Sequence, residues 1–190
     1  MRKGGPVAGP PFCFLELTLA ILASITQANE FTMDTNNLRI EVAAEPDIPL
    51  LVTFIKELAE YEALLDHVNV TENRLHRALF GKNRYAHGLI AYIDDLPVAF
   101  AIYFFSFSTF EGLPSLYIED IFVRPSYRKL GIGRRIFTFL SNKALEADCS
   151  RIELSVLNWN QQAIGFYKQL GGQPLKGWTV FRLSPATLAT

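Results

Sequence analysis

Three groups of residues in this sequence of 190 residues have types and spacings suited to chemistry. The first is the run Arg128-Lys129-Leu130-Gly131-Ile132-Gly133, between a strand-like segment ending at Val123 and a helix-like segment opening near Arg134. Two glycines permit close backbone approach, and the following helix offers free N–H groups and a positive dipole end to an anion. The loop reads as a pyrophosphate cradle, although a glycine turn feeding a helix is also an ordinary connection. The second group is Glu119-Asp120 inside the apolar run Ile118 to Val123, where carboxylates buried without partners would be costly. By strand alternation the two acids face opposite ways; Glu119 is the functional candidate and Asp120 the structural one. The third is Asn160, at the head of a short helical run, with Tyr167 further along it. Asn160 has the type of a helix cap, and Tyr167 is either a core phenol with a wet hydroxyl or a proton donor.

The elements that position these residues are legible from periodicity. Leu38 to Val42 reads as a strand, and Pro46-Asp47 opens a helix with Ile48, Leu51, Val52, Ile55 and Leu58 on one stripe. Thr71 caps a second helix that carries Leu75, Ala78 and Leu79 and stops at Gly81. Strands follow over Gly88 to Ile93, Val98 to Phe107 and Leu116 to Val123, the first two joined by the turn Asp94-Asp95-Leu96-Pro97. Ile136, Phe139, Leu140, Ala144 and Ala147 mark a helix. Arg151 to Leu157 alternates as a strand, Gln161 to Leu170 is a short helix, and Trp178 to Leu183 is a last strand. The order β-α-α-β-β-β-α-β-α-β predicts an α/β fold, a mixed sheet with helices on both faces. The glycine loop then lies at the carboxyl end of a strand, where ligands bind in open α/β sheets.

The loop is not a dinucleotide fingerprint, because Arg134, Arg135 and Ile136 follow where a third glycine is required. It is not a P-loop either, since no Gly-Lys-Ser or Gly-Lys-Thr is present. The remaining pattern, Arg-x-x-Gly-x-Gly, resembles the pyrophosphate loop of the GNAT superfamily of N-acetyltransferases. The likeness runs from Leu38 to Leu183 and includes Asn158-Trp159-Asn160, Ala163, Phe166, Tyr167 and Gly171. Phe54 to Glu62, Tyr117-Ile118-Glu119-Asp120-Ile121-Phe122-Val123 and Phe166-Tyr167-Lys168 resemble the diamine (spermidine/spermine) and thialysine acetyltransferases.

That resemblance implies a mostly antiparallel sheet and direct acetyl transfer from acetyl-CoA to a small primary amine. It assigns the cofactor to Ile121, Phe122, Val123, Arg128, Lys129, Leu130, Gly131, Ile132, Gly133, Asn160 and Tyr167. An alkyl ammonium has a pKa of about 10 and must lose a proton before it attacks. By resemblance Glu119 accepts that proton through water or anchors the ammonium, Tyr167 is the general acid for the leaving thiolate, and N–H groups of Ile121 to Val123 polarise the thioester. Tyr61 and Glu62, with Glu119, line the amine pocket. Lys176 departs from the acidic residues of the spermidine/spermine type, which favours shorter or amino-acid-like amines. A protein or peptide acceptor, or a non-catalytic acyl-CoA-binding module, are the alternatives. The resemblance also implies a homodimer.

Composition bounds the rest. The net charge of −1 offers no field for nucleic acid or an anionic membrane. Cys13 and Cys149 form no Cys-x-x-Cys, and His67, His76 and His87 no His-Glu-x-x-His, so no metal site is expected. Residues 1–36 read as an N-terminal extension and 37–190 as one acetyltransferase domain. Within the extension, Phe12 to Ile25 has a signal-like apolar core but is too short to span a membrane comfortably. Met33 is an alternative start, and the cofactor argues for a cytoplasmic protein.

Overall fold

The computed structural model describes residues 37–189; the expectations for the N-terminal extension, its signal-like core and Met33 lie outside them. Five strands form one sheet in the order of the chain: β1 (Leu38–Val42), β2 (His87–Ile93), β3 (Leu96–Ser108), β4 (Leu113–Val123) and β5 (Ile152–Leu154). The first three pairings are antiparallel and β4–β5 is parallel. Short turns join β2 to β3 and β3 to β4, residues 43–86 with two helices lie between β1 and β2, and the parallel neighbour needs a crossover. Helix α3 (Ile132–Glu146) supplies it, and the glycine loop is the link from β4 into that helix.

Each face of the sheet is covered. Helices α1 (Ile48–Tyr61) and α2 (Glu72–Phe80) bury Leu51, Phe54, Leu75 and Leu79 against Ile90, Phe100 and Phe122. On the other face, Ile132, Ile136, Leu140 and Ala144 of α3 pack on Leu89, Ala101, Leu116 and Ile118. Each large apolar side chain so buried contributes about 1.5–3 kcal/mol relative to exposure. Thr71 caps α2 as its type predicts, its hydroxyl accepting from Arg74 N at 3.3 Å.

Two sequence expectations change. Trp178 to Leu183 forms no strand; the segment is exposed from Gly171 onward, and a four-residue helix, α5 (Pro185–Leu188), follows. A strand needs a neighbour for its backbone, and β5 has none on its outer edge among the described residues. The second change is a bulge. Ile118 pairs with Tyr103 and Asp120 with the adjacent Ile102, leaving Glu119 as an extra residue on β4. One extra residue reverses the facing of everything after it. Leu116 and Ile118 therefore face α3, while Phe122 faces α1, and Asp120 turns with Phe122 instead of following Ile118.

Candidate active site

The loop after β4 has its shape from two left-handed residues, Lys129 at φ +66° and Gly131 at φ +79°. Glycine takes this conformation freely; lysine does so at a cost that is commonly met at functional sites. Alternating left- and right-handed residues turn successive N–H groups to one side as an anion nest. Here the N–H groups of Lys129 through Arg134 have no partner among the described residues, and the first turn of α3 adds its dipole. Leu130 is half-buried, its side chain packed against the core cluster that includes Ile132 and Ile136, which anchors the turn. Six unpaired donors in one turn fit a pyrophosphate.

This nest opens into a cavity of about 620 Å³ between the diverging ends of β4 and β5. The strands pair only from Leu116 to Ile118, so β4 from Glu119 to Val123 has no strand on that side. Ile121, Phe122 and Val123 line the cavity, as do Arg128, Lys129, Gly131, Ile132 and Gly133. Among the residues that sequence assigns to the cofactor, only Leu130 is not in the wall. Where the strands part, the hydroxyls of Tyr117 and Ser155 are hydrogen-bonded at 2.6 Å.

Helix α4 (Gln161–Gln169) brings in Asn160 and Tyr167. Asn160 Oδ1 accepts from Ala163 N at 3.1 Å, so the cap is real, and the side-chain amide nitrogen is left for a ligand. Gly133 lets α4 approach: a Cβ there would lie 3.1 Å from Phe166 Cζ. The Tyr167 ring is held by Phe137 of α3 at 5.8 Å and Phe166 at 5.7 Å between centroids. Burial, then the Glu62 charge, pushes the Tyr167 phenol up to about 12. It remains protonated throughout the neutral range.

The far wall comes from the end of α1. Tyr61 and Glu62 line it, with Glu119 and Asp120 from β4. The Tyr61 ring lies beneath the Arg128 guanidinium at 4.3 Å and 5.9 Å from Trp159, while Arg128 Nε donates to Val123 O at 3.0 Å. Glu62, Glu119 and Asp120 make no side-chain hydrogen bond or ion pair among the described residues. Burial raises the Glu62 carboxyl. Burial, then Glu119 and Glu62, pushes Asp120 up to about 6. Three unpartnered acids at one end of a cavity, with an anion nest in its wall, suit a ligand pair of opposite charge.

Tyr61, Glu62 and Glu119 line one cavity, as the sequence predicts; Asp120, expected on the opposite face by alternation, lines it too, and Phe137 against Tyr167 was not among the predicted residues. Nothing in the Glu119-Asp120 pair announces a bulge. Phe137 had a weak signal, its position one turn beyond Gly133 on the stripe facing α4. No three His, Cys, Asp or Glu among the described residues converge as metal ligands.

Comparisons with known proteins identify the family and the fold. The acetyltransferase (GNAT) family profile matches residues 54–172. The thialysine N-epsilon-acetyltransferase of Bos taurus is 40% identical over 154 residues, covering 75% of this chain and 90% of that protein. The Mus musculus enzyme of the same name is 39% identical, covering 76% and 91%. The spermidine/spermine N(1)-acetyltransferase-like protein 1 of Homo sapiens is 35% identical, over 77% of this chain and 22% of its own length. Among solved structures, an integron cassette protein from the mobile metagenome of V. cholerae shares the fold with a TM-score of 0.67 at 24% identity, covering 80% of this chain and 96% of its own.

Proposed function

The chain belongs to the acetyltransferase (GNAT) family, and from that membership we propose that it transfers an acetyl group from acetyl-CoA to a primary amine of a small molecule, with both bound at once. The observation that carries this reading is the union in one cavity of an anion nest, with unpaired N–H donors on Lys129 and Gly131 through Arg134, and three unpartnered carboxylates. The nest and the side chains of Arg128 and Lys129 hold the pyrophosphate, Leu130 fixes the turn, and Asn160 contributes its free amide. When bound, acetyl-CoA supplies an activated thioester and a sulfur leaving group.

The chain's own groups do the rest. Glu62 and Glu119 draw the ammonium into the cavity, whose wall Tyr61 shares beneath the Arg128 guanidinium. The N–H groups of Ile121 to Val123 that look into the gap beyond β5 act on the oxygen that gains charge during attack. Tyr167 keeps its proton on Oη and offers it to the departing sulfur. The thialysine enzymes among the relatives and the lone Lys176 favour a short or amino-acid-like amine over a long polycation.

A homodimer is part of the proposal. Its support is the apolar face that the C-terminal segment leaves bare: Trp178 is 74% exposed, Val180 90% and Phe181 82%. A cytoplasmic location is proposed from the supply of acetyl-CoA; no helix among the described residues is long and apolar enough to cross a membrane.

The experiment is thiol release from acetyl-CoA with a panel of thialysine, lysine, ornithine and diamines. Amine-dependent release with one favoured acceptor is expected. Binding of acetyl-CoA without release in the presence of any amine would overturn the enzyme reading and leave an acyl-CoA-binding module.

A further inference from the structure

Asp120 differs from the other acids of the cavity in how it is placed. Regular alternation would align it with Ile118, against α3. The bulge at Glu119 instead turns it toward α1, where Glu62 reaches the same wall and Tyr167 completes it from α4. Bulges beside active sites re-aim a side chain in this way. Glu119, the bulged residue, is exposed, whereas Asp120 is half-buried with no hydrogen-bond or cationic partner among the described residues. A carboxylate partly withdrawn from water without a partner carries an uncompensated cost.

We propose that Asp120 is the group that takes the proton from the bound alkylammonium, with Glu62 and Glu119 holding the cation beside it; this rests on the acetyl-transfer reading above. One N–H bond of the ammonium breaks and the proton moves to the Asp120 carboxylate, freeing the nitrogen pair. The C–N bond then forms as the C–S bond breaks, Tyr167 gives its proton to sulfur, and the second nitrogen proton restores the phenol. Asp120 returns its proton to water. The charges facing Asp120 are Glu119 on its own strand and Glu62 from α1; Tyr167 faces the same space from α4, and the loop cations Arg128, Lys129 and Arg134 line the cavity without entering among the causes of its shift. With its carboxyl pushed from 3.8 to about 6, Asp120 is a better match for an ammonium of about 10, yet still ionised at neutral pH.

The test is the pH dependence of kcat/KM for thialysine in the wild type, Asp120→Asn, Asp120→Glu and Glu119→Gln, with acetyl-CoA affinity measured by calorimetry in each. The wild type should lose activity below a midpoint near 6. Asp120→Asn should fall about 100-fold or more, lose that acid limb and bind acetyl-CoA as before. Asp120→Glu should keep the limb at a moved midpoint, and Glu119→Gln should keep it at a lower midpoint, because one of the charges that raise Asp120 is gone, with a raised KM. The proposal is overturned if the limb survives in Asp120→Asn, vanishes in Glu119→Gln, or if both Asp120 variants lose acetyl-CoA binding. Failure of the wild type itself to release thiol with any amine would sink the underlying reading instead, and this proposal with it.

Discussion

Arg124 holds Glu57 in a two-pronged contact, Nε to Oε2 at 2.8 Å and Nη2 to Oε1 at 2.7 Å. Arg124 stands just past β4 and Glu57 lies one turn before the end of α1, so the pair joins the strand that carries Glu119 and Asp120 to the helix that carries Tyr61 and Glu62. The third arm of the guanidinium donates to Pro97 O at 2.6 Å, and its face covers the Phe54 ring at 4.5 Å. The contact, Glu57's hydrogen bond above all, raises the Arg124 pKa.

Glu57→Gln should therefore act at a distance from the chemistry. Loss of one charge-assisted pair costs about 1–3 kcal/mol, visible as a lower denaturant midpoint. Loosening the end of α1 should also raise the amine KM more than it lowers kcat. An unchanged midpoint with an unchanged KM would show that the pair positions nothing.

The two loop glycines should fail differently when each becomes alanine. At Gly131 nothing lies within 4 Å of an added Cβ, so the cost is the torsion at φ +79°, about 1–2 kcal/mol. It should appear as weaker acetyl-CoA binding, up to tenfold, because the nest is distorted. At Gly133 the torsion is ordinary and the obstacle is Phe166, 3.1 Å from the new Cβ. Displacing that ring shifts Tyr167, so Gly133→Ala should lower kcat more than affinity. Equal effects of the two variants on affinity and turnover would refute this division.

Tyr167→Phe should lower kcat by roughly 100-fold and leave acetyl-CoA affinity within about twofold, since only the hydroxyl is removed. Burial pushes that phenol to about 12, so it stays protonated as pH rises from 7 to 10 and contributes no fall in rate there. Wild-type turnover in the variant would remove Tyr167 from the acid role.

Much of this site is legible in sequence because its cues are local. Arg128 to Gly133 shows its glycines, Asn160 its capping type, and α1 its apolar stripe. Asp120 is not legible, because its direction depends on how β4 registers against β3, a relation between distant segments that alternation within one strand cannot express. The same limit explains Trp178 to Leu183. Its apolar and β-branched residues state a preference for an extended chain, and a preference does not provide the neighbouring strand.

If that neighbour is a second copy, the C-terminal segment should be buried only in the dimer. Trp178, 74% exposed, should shift its fluorescence to shorter wavelength as protein concentration rises through the dissociation range, and Trp178→Phe should remove the change. Truncation after Gly172 should give a monomer by sedimentation velocity. A dimer that persists after truncation would assign the interface elsewhere.

Asp120 should also be a net burden on stability at neutral pH. Its carboxyl rises from 3.8 to about 6 on folding, so between those values the native chain binds a proton that the unfolded chain has released. Stability then falls as pH rises from about 4 to 6, and the penalty persists above 6. A shift of about two units corresponds to roughly 3 kcal/mol at full burial, less here because the residue is only half-buried. Asp120→Asn, which keeps the shape and discards the charge, should therefore unfold at a higher denaturant concentration than the wild type at pH 7, by about 1–3 kcal/mol, with the gain shrinking toward pH 4. Together with the expected loss of turnover, that would identify a charge retained for chemistry at the expense of the fold. A variant less stable than the wild type at pH 7 would mean that Asp120 has a structural partner after all.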